Sequence, residues 1–258
     1  VRDSSENPFV RNEQKIAADS PAPSCKAGTR PKSNRTIIKN ETIMRTIKHI
    51  HKPENDPIQD LVTYRVLPTR SISYVDPFLF LNHHGPQVYQ PNNSGLPFGP
   101  HPHRGMETVT FILEGDIVHF DNNGHKSVIN SGGVQWMRAG KGLIHSEVSS
   151  PEFKMQGGPL EILQLWVNLP ARSKMAEPYY EGLQEQDIPT VRMDDGKVKA
   201  QLIFGEWEGK KAAFVSDIGL QLSTLYFQKD GKLFLNIQEE ENLFFYLVRG
   251  KMTVNGKP

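Results

Sequence analysis

A single cysteine, Cys25, stands in 258 residues, so the chain can build neither an internal disulfide framework nor a thiolate metal site. That usage fits a reducing compartment, and the expected address is the cytoplasm. No apolar run approaches the ~18 residues of a membrane-spanning helix, so no membrane association is expected. An excess of either charge is missing too. Lys and Arg number 30 against 29 Asp and Glu, which leaves no overall field to draw in nucleic acid. Nothing has the spacing of a helix-turn-helix or a zinc finger, so direct DNA binding is not expected. Large apolar side chains are scarce in residues 1–43, which bury too little to offset chain entropy and are expected to be disordered. This stretch lacks the apolar core of about 7 to 15 residues of a signal peptide, and Asp3, Glu6, Glu13 and Asp19 argue against a transit peptide. Met44, just before the first regular stretch, is the expected natural start.

What the chain does have is concentrated between residues 101 and 147. The stretch opens with His101-Pro102-His103-Arg104-Gly105 and closes with Gly142-Leu143-Ile144-His145-Ser146-Glu147. Alternate side chains of a β-strand share a face, so His101 and His103 point one way, as do His145 and Glu147. Between the pairs, Val, Thr, Phe and Ile are broken by Glu114-Gly115, by Asp121-Asn122-Asn123-Gly124 and by Ser131-Gly132-Gly133. Short strands on regular turns predict a small barrel or sandwich. If it closes, both ligand pairs meet inside. Pro102 lacks an N–H, which suits an edge strand.

Three imidazoles and a carboxylate make a borderline N/O site, better suited to Fe, Mn, Ni, Cu or Zn than to Ca or Mg. An octahedral ion with four protein ligands keeps positions open for substrate or dioxygen.

Elsewhere, residues 61–67 read as a strand, and residues 74–81 as apolar wall. His83 and His84 are adjacent, cannot chelate as a pair, and are expected on a loop or rim. Residues 86–100, rich in Pro, Gly and Asn, are expected to be a loop over the site entrance. Residues 110–118 can be laid over residues 245–253, each followed by Asn-Gly, at Asn123-Gly124 and Asn255-Gly256. Such a repeat predicts a second barrel, and the absence of histidine before the second copy predicts that it is metal-free. Strands matching residues 127–147 have no counterpart after Pro258, so the second barrel is expected to be incomplete, with an exposed edge.

Gly95-x5-His101-x-His103-x3-Glu107 resembles the first motif of the cupin superfamily, with Gly115 one residue late, and Gly142-x2-His145 resembles the second. More narrowly, HPHRGMETVTFILEG, QWMRAGKGLIHSE and LQLWVNLPARSKMAEPYY resemble the pirin family, and the likeness runs from about Met44 to the C-terminus. The resemblance implies an all-β, two-domain bicupin of double-stranded β-helix (jelly-roll) barrels. Residues 44–170 would be the metal-binding domain, 171–195 a linker, and 196–258 the truncated, metal-free second domain. Cupins in general would nominate Glu107 as the carboxylate ligand; pirins nominate Glu147. The expected ligands are therefore His101, His103, His145 and Glu147, with Glu107 on the same strand face orienting an imidazole. Pirin likeness further implies one divalent transition metal ion, Fe(II) first and Mn, Ni, Cu, Co or Zn as alternatives. It implies a dioxygenase taking dioxygen and a flavonol such as quercetin, with Glu147 as metal ligand or as proton acceptor. The alternative it implies is a non-enzymatic, iron-dependent regulator that binds a protein partner, either a transcription factor or a metabolic enzyme.

Overall fold

The computed structural model describes residues 45–257. The tail expected to be disordered therefore lies outside the described residues, as does Met44. Along the chain come β1 (Glu54–Asn55), β2 (Thr63–Leu67), β3 (Phe78–Tyr89), β4 (Phe98–His103), β5 (Met106–Glu114), β6 (Asp116–Asp121), β7 (Lys126–Asn130), β8 (Val134–Arg138) and β9 (Leu143–Val148). A one-and-a-half-turn helix, α1 (Pro151–Gln156), leads into β10 (Gly158–Asn168) and β11 (Tyr179–Leu183). Smaller strands follow: β12 (Thr190–Met193), β13 (Val198–Phe204), β14 (Glu206–Trp207), β15 (Lys210–Lys211) and β16 (Leu222–Phe227).

Two sheets form the first barrel, one of seven strands ordered β1-β2-β3-β10-β5-β8-β11 and one of four ordered β4-β9-β6-β7. Their sequences differ because their surroundings differ. On β9 the burial alternates, with Leu143, His145 and Glu147 buried and Ile144 exposed, as a sheet with one face in solvent requires. The run Glu107-Thr108-Val109-Thr110 on β5 is buried throughout, because this sheet is covered on both faces. Its lumen face carries Ile112, Leu160 and Ile162, which pack with Leu61 and with Ile117 and Ile129 of the small sheet. Its other face packs Val109, Trp136, Leu165 and Val167 against Ile203, Phe204 and Phe214 of the C-terminal part. Each such side chain contributes roughly 1.5–3 kcal/mol by leaving water.

Three expectations are corrected here. His83 and His84 lie in the middle of β3, not on a rim, and both are buried. They do face opposite ways: His84 bonds Thr63 at 2.9 Å, whereas His83 bonds Glu161 at 2.9 Å and the Tyr246 hydroxyl at 2.7 Å. Much of the expected loop 86–100 is strand, since β3 runs to Tyr89 and β4 starts at Phe98. Within the stretch read as a linker, β11 hydrogen-bonds β8 as the edge of the large sheet, with Tyr180 opposite Met137. In the C-terminal part, β12-β13-β16 form a three-stranded sheet. Residues 244–247 alternate as a strand would, Phe244 and Tyr246 inward and Phe245 and Leu247 exposed, but join no ladder among the described residues.

The corner before β9 depends on glycine. Gly140 has φ +50°, and a Cβ there would sit 2.1 Å from the Ala176 carbonyl oxygen, which the Lys141 N–H also approaches at 2.9 Å. Backbone on backbone cannot give way cheaply. Gly140→Ala is expected to cost about 2 kcal/mol or more, read as a lower urea midpoint with unchanged slope.

Candidate metal centre

Strand pairing brings the histidines together. β4 lies antiparallel to β9 with His101 opposite His145 and His103 opposite Leu143. Pro102 occupies an outward position on β4, the edge of the four-stranded sheet, where its missing N–H costs nothing. Ligand atoms of His101, His103 and His145 lie within 4.8 Å of one another. The ring contacts fit a triad: His101 to His145 at 4.4 Å, and His103 to each of the others at 5.0 Å between centroids.

Their outer nitrogens show which atoms are free. His101 Nδ1 lies 2.7 Å from the Gly99 carbonyl oxygen, so it must be the donor, and its lone pair is on Nε2. His145 Nδ1 faces His119 at 3.4 Å. The Nε2 atoms of His103 and His145 are buried with no hydrogen-bond partner among the described residues. Orphaned buried nitrogens are costly unless something binds them, and a divalent ion accepting three imidazole nitrogens fits this donor set. Burial, followed by the charge of His101, lowers His103 to about 4. Burial, followed by the charges of the neighbouring histidines, lowers His145 to about 2. Both rings are thus neutral near pH 7, the state that ligates metal.

Glu147 occupies the next inward position of β9 and is wholly buried, but its carboxylate lies outside the 4.8 Å group. Three neutral side chains hold it: Thr110 Oγ1 donates at 3.1 Å, Gln164 Nε2 at 2.6 Å, and the Gln135 amide at short range. Burial raises its pKa, and those hydrogen bonds together with His101 oppose the rise. From β11, Tyr180 reaches into the lumen, donates to Gln135 Oε1 at 3.1 Å and lies 2.5 Å from Ser127 Oγ. Its ring stacks on His119 at 3.7 Å. His119 in turn meets Asp121 at 3.0 Å. Sequence reasoning missed all of these partners. The available signal was parity, since His119 and Asp121 are alternate residues of one strand lying between the two ligand pairs.

The large side chains around the lumen divide between site wall and core. Trp166 stands edge-on to His103 at 5.1 Å and is backed by Phe80 at 4.2 Å, so it is wall of the site. Met137 packs with Leu143, Phe98 packs on the lumen core, and Trp136 and Phe111 face the C-terminal part.

The expectation for Glu107 is overturned. Arg104-Gly105, with Gly105 at φ +71°, turns the chain from the small sheet to the large one, so parity does not carry from His103 to Glu107. Thr110 faces Glu147, so Glu107, an odd number of residues away, faces the opposite side with Val109 and Trp136. Burial raises it to about 7, against the opposing charge of Arg138 and the nearby Trp136 indole, and neither carboxylate oxygen has a hydrogen-bond partner among the described residues. A folded pKa above the unfolded one means that stability from this group is greatest at acid pH and is lost as pH rises towards 7. Glu107→Gln is expected to stabilise the protein at pH 8 by up to about 3 kcal/mol, with the difference vanishing near pH 4. Urea titrations of both proteins at the two pH values check this.

A β-barrel whose lumen gathers imidazoles from neighbouring strands defines a cupin-type protein. The Pirin family model matches residues 60–167. A pirin-like protein of Caulobacter vibrioides is 38% identical over 199 residues, covering 74% of this chain and 67% of the relative. A Pseudomonas aeruginosa protein, provisionally named a quercetin 2,3-dioxygenase, is 33% identical over 198 residues, covering 77% and 68%. Among solved structures, quercetin 2,3-dioxygenase from Acinetobacter baumannii aligns with TM-score 0.56 and 36% identity, over 64% of this chain and 58% of that one. The chain belongs to the pirin family. It spans 54% to 68% of the length of the first four curated relatives it matches. No helix among the described residues is long and apolar enough to cross a membrane.

Proposed function

We propose that this chain is a metal-dependent dioxygenase of the cytoplasm that opens a flavonol such as quercetin at a mononuclear centre of His101, His103, His145 and Glu147, with Fe(II) as the ion. The observation that carries the reading is the convergence of three imidazoles in the lumen, two of them with buried, unpartnered Nε2 atoms. The names of the Acinetobacter structure and the Pseudomonas relative support the substrate class. A bound ion would supply Lewis acidity and a template for a substrate oxygen.

The chain's own residues do the rest. Neutral His103 and His145 offer lone pairs without a proton having to leave near pH 7. Glu147 either completes the donor set or takes the substrate's hydroxyl proton, a role that its raised pKa favours. Thr110, Gln135 and Gln164 hold its carboxylate in place with neutral hydrogen bonds. Trp166, edge-on to His103, offers a flat apolar wall suited to an aromatic ring.

Oxygen consumption by Fe(II)-loaded protein given quercetin, beside His103→Ala, tests the proposal. Uptake in the parent and its loss in the variant are expected. Silence from demonstrably metal-filled protein would overturn the enzyme reading in favour of an iron-dependent regulator with a protein partner.

A further inference from the structure

We propose that His119 and Asp121 are positioning residues that impose the Nδ1–H tautomer on His145, so that its Nε2 lone pair is held towards the ion. The inference rests on the reading of His145 as a metal ligand, and its steps follow from hydrogen-bond direction. A neutral imidazole carries one proton. If Nε2 of His145 ligates, the proton is on Nδ1. That nitrogen faces Nδ1 of His119 at 3.4 Å, and two N–H groups cannot face each other, so His119 Nδ1 carries a lone pair. The His119 proton is then on Nε2, which lies 3.0 Å from Asp121 Oδ2, an acceptor. Asp121 is itself fixed, since its Oδ1 accepts the backbone N–H groups of Asn123 at 2.9 Å and His125 at 3.1 Å. Tyr180 clamps the plane of the His119 ring by stacking at 3.7 Å and 10°. His119 and Asp121 are both fully or almost fully buried, so water does not compete for these contacts.

Two of the three ligands are thus oriented by different means. His101 is held by a backbone carbonyl, which no side-chain substitution removes. His145 depends on a side-chain chain that ends in a carboxylate, so its orientation can be broken by mutation at a distance from the ion. Outer partners of metal-bound histidines typically contribute 10- to 100-fold in affinity.

Two measurements test this. Nitrogen-15 NMR of histidine-labelled, metal-free parent protein reads the tautomers directly, without any substitution. Proton on Nδ1 of His145 and on Nε2 of His119 is expected; the reverse tautomer at either ring overturns the proposal. Competition titration with Co(II) then compares the parent with His119→Phe, Asp121→Asn and the double variant, each confirmed folded by circular dichroism. An affinity loss of about 10- to 100-fold in each single variant is expected, with altered visible bands of bound Co(II) and a double variant no weaker than His119→Phe. Unchanged affinity and bands, or losses that simply add, overturn it. A parent protein that binds no Co(II) brings down the metal reading itself and this inference with it, whereas a parent that binds normally while the variants match it brings down this inference alone.

Discussion

His103→Ala is expected to weaken binding of Fe(II) or Co(II) by about 100-fold or more, and His145→Ala by a similar factor. Protein sites that hold a divalent ion through four donors reach roughly 10–16 kcal/mol, so one nitrogen donor is worth about 3 kcal/mol, or two decades in affinity. Both side chains are buried, so water cannot readily take the lost position. Competition with a chelator of known affinity measures the loss. The substitution at His103 has a second consequence, because Trp166 rests against that ring at 5.1 Å and would lose its neighbour. A binding constant within ten-fold of the parent in both variants would show that the imidazole cluster is not the metal site.

Metal-free protein is expected to lose stability steeply as pH falls from 7 to 5. His84 is lowered to about 3 chiefly by burial, His103 to about 4 and His145 to about 2. In each case the folded pKa lies below the unfolded value near 6.5, so the unfolded chain takes up protons first. Stability from these groups is complete above about pH 6.5 and declines as pH falls towards the folded values. At pH 5 each histidine costs roughly 2 kcal/mol and the three together about 6, a large part of the 5–15 kcal/mol typical of a domain. Glu107 acts in the opposite sense, regaining about 2 kcal/mol over the same range, and the raised pKa of Glu147 adds to that offset. The Glu107→Gln variant is therefore the more acid-sensitive protein, and urea titrations at pH 7, 6 and 5 should show its steeper decline. A bound ion competes with protons for His103 and His145 and should flatten the curve. A metal-free parent and variant whose stabilities fall in parallel would contradict the account of Glu107.

The histidine pairs are legible in the sequence because strand parity is a local property. His101 and His103 share a face, as do His145 and Glu147, whatever the rest of the chain does, and the strands Phe98–His103 and Leu143–Val148 realise this. Pro102 marks an edge for the same kind of reason, its missing N–H. The all-β class follows from turn residues between β-branched runs. Parity fails where the chain changes sheets, at Arg104-Gly105, and so it assigns Glu107 to the wrong face.

What only the tertiary structure decided concerns contacts between strands far apart in sequence. Tyr180 belongs to a segment whose composition reads as a linker, yet the pairing of Tyr179–Leu183 with Val134–Arg138 sends its ring into the lumen. Thr110, Gln135 and Gln164 surround Glu147 from three strands. No spacing rule links those positions, because sheet order and not sequence separation makes them neighbours. The sequence alone therefore determined the kind of donors and their sides of the strands, through backbone periodicity. The order in which the strands assembled decided which polar groups hold those donors, because a buried hydrogen bond depends on distances that only the closed barrel sets.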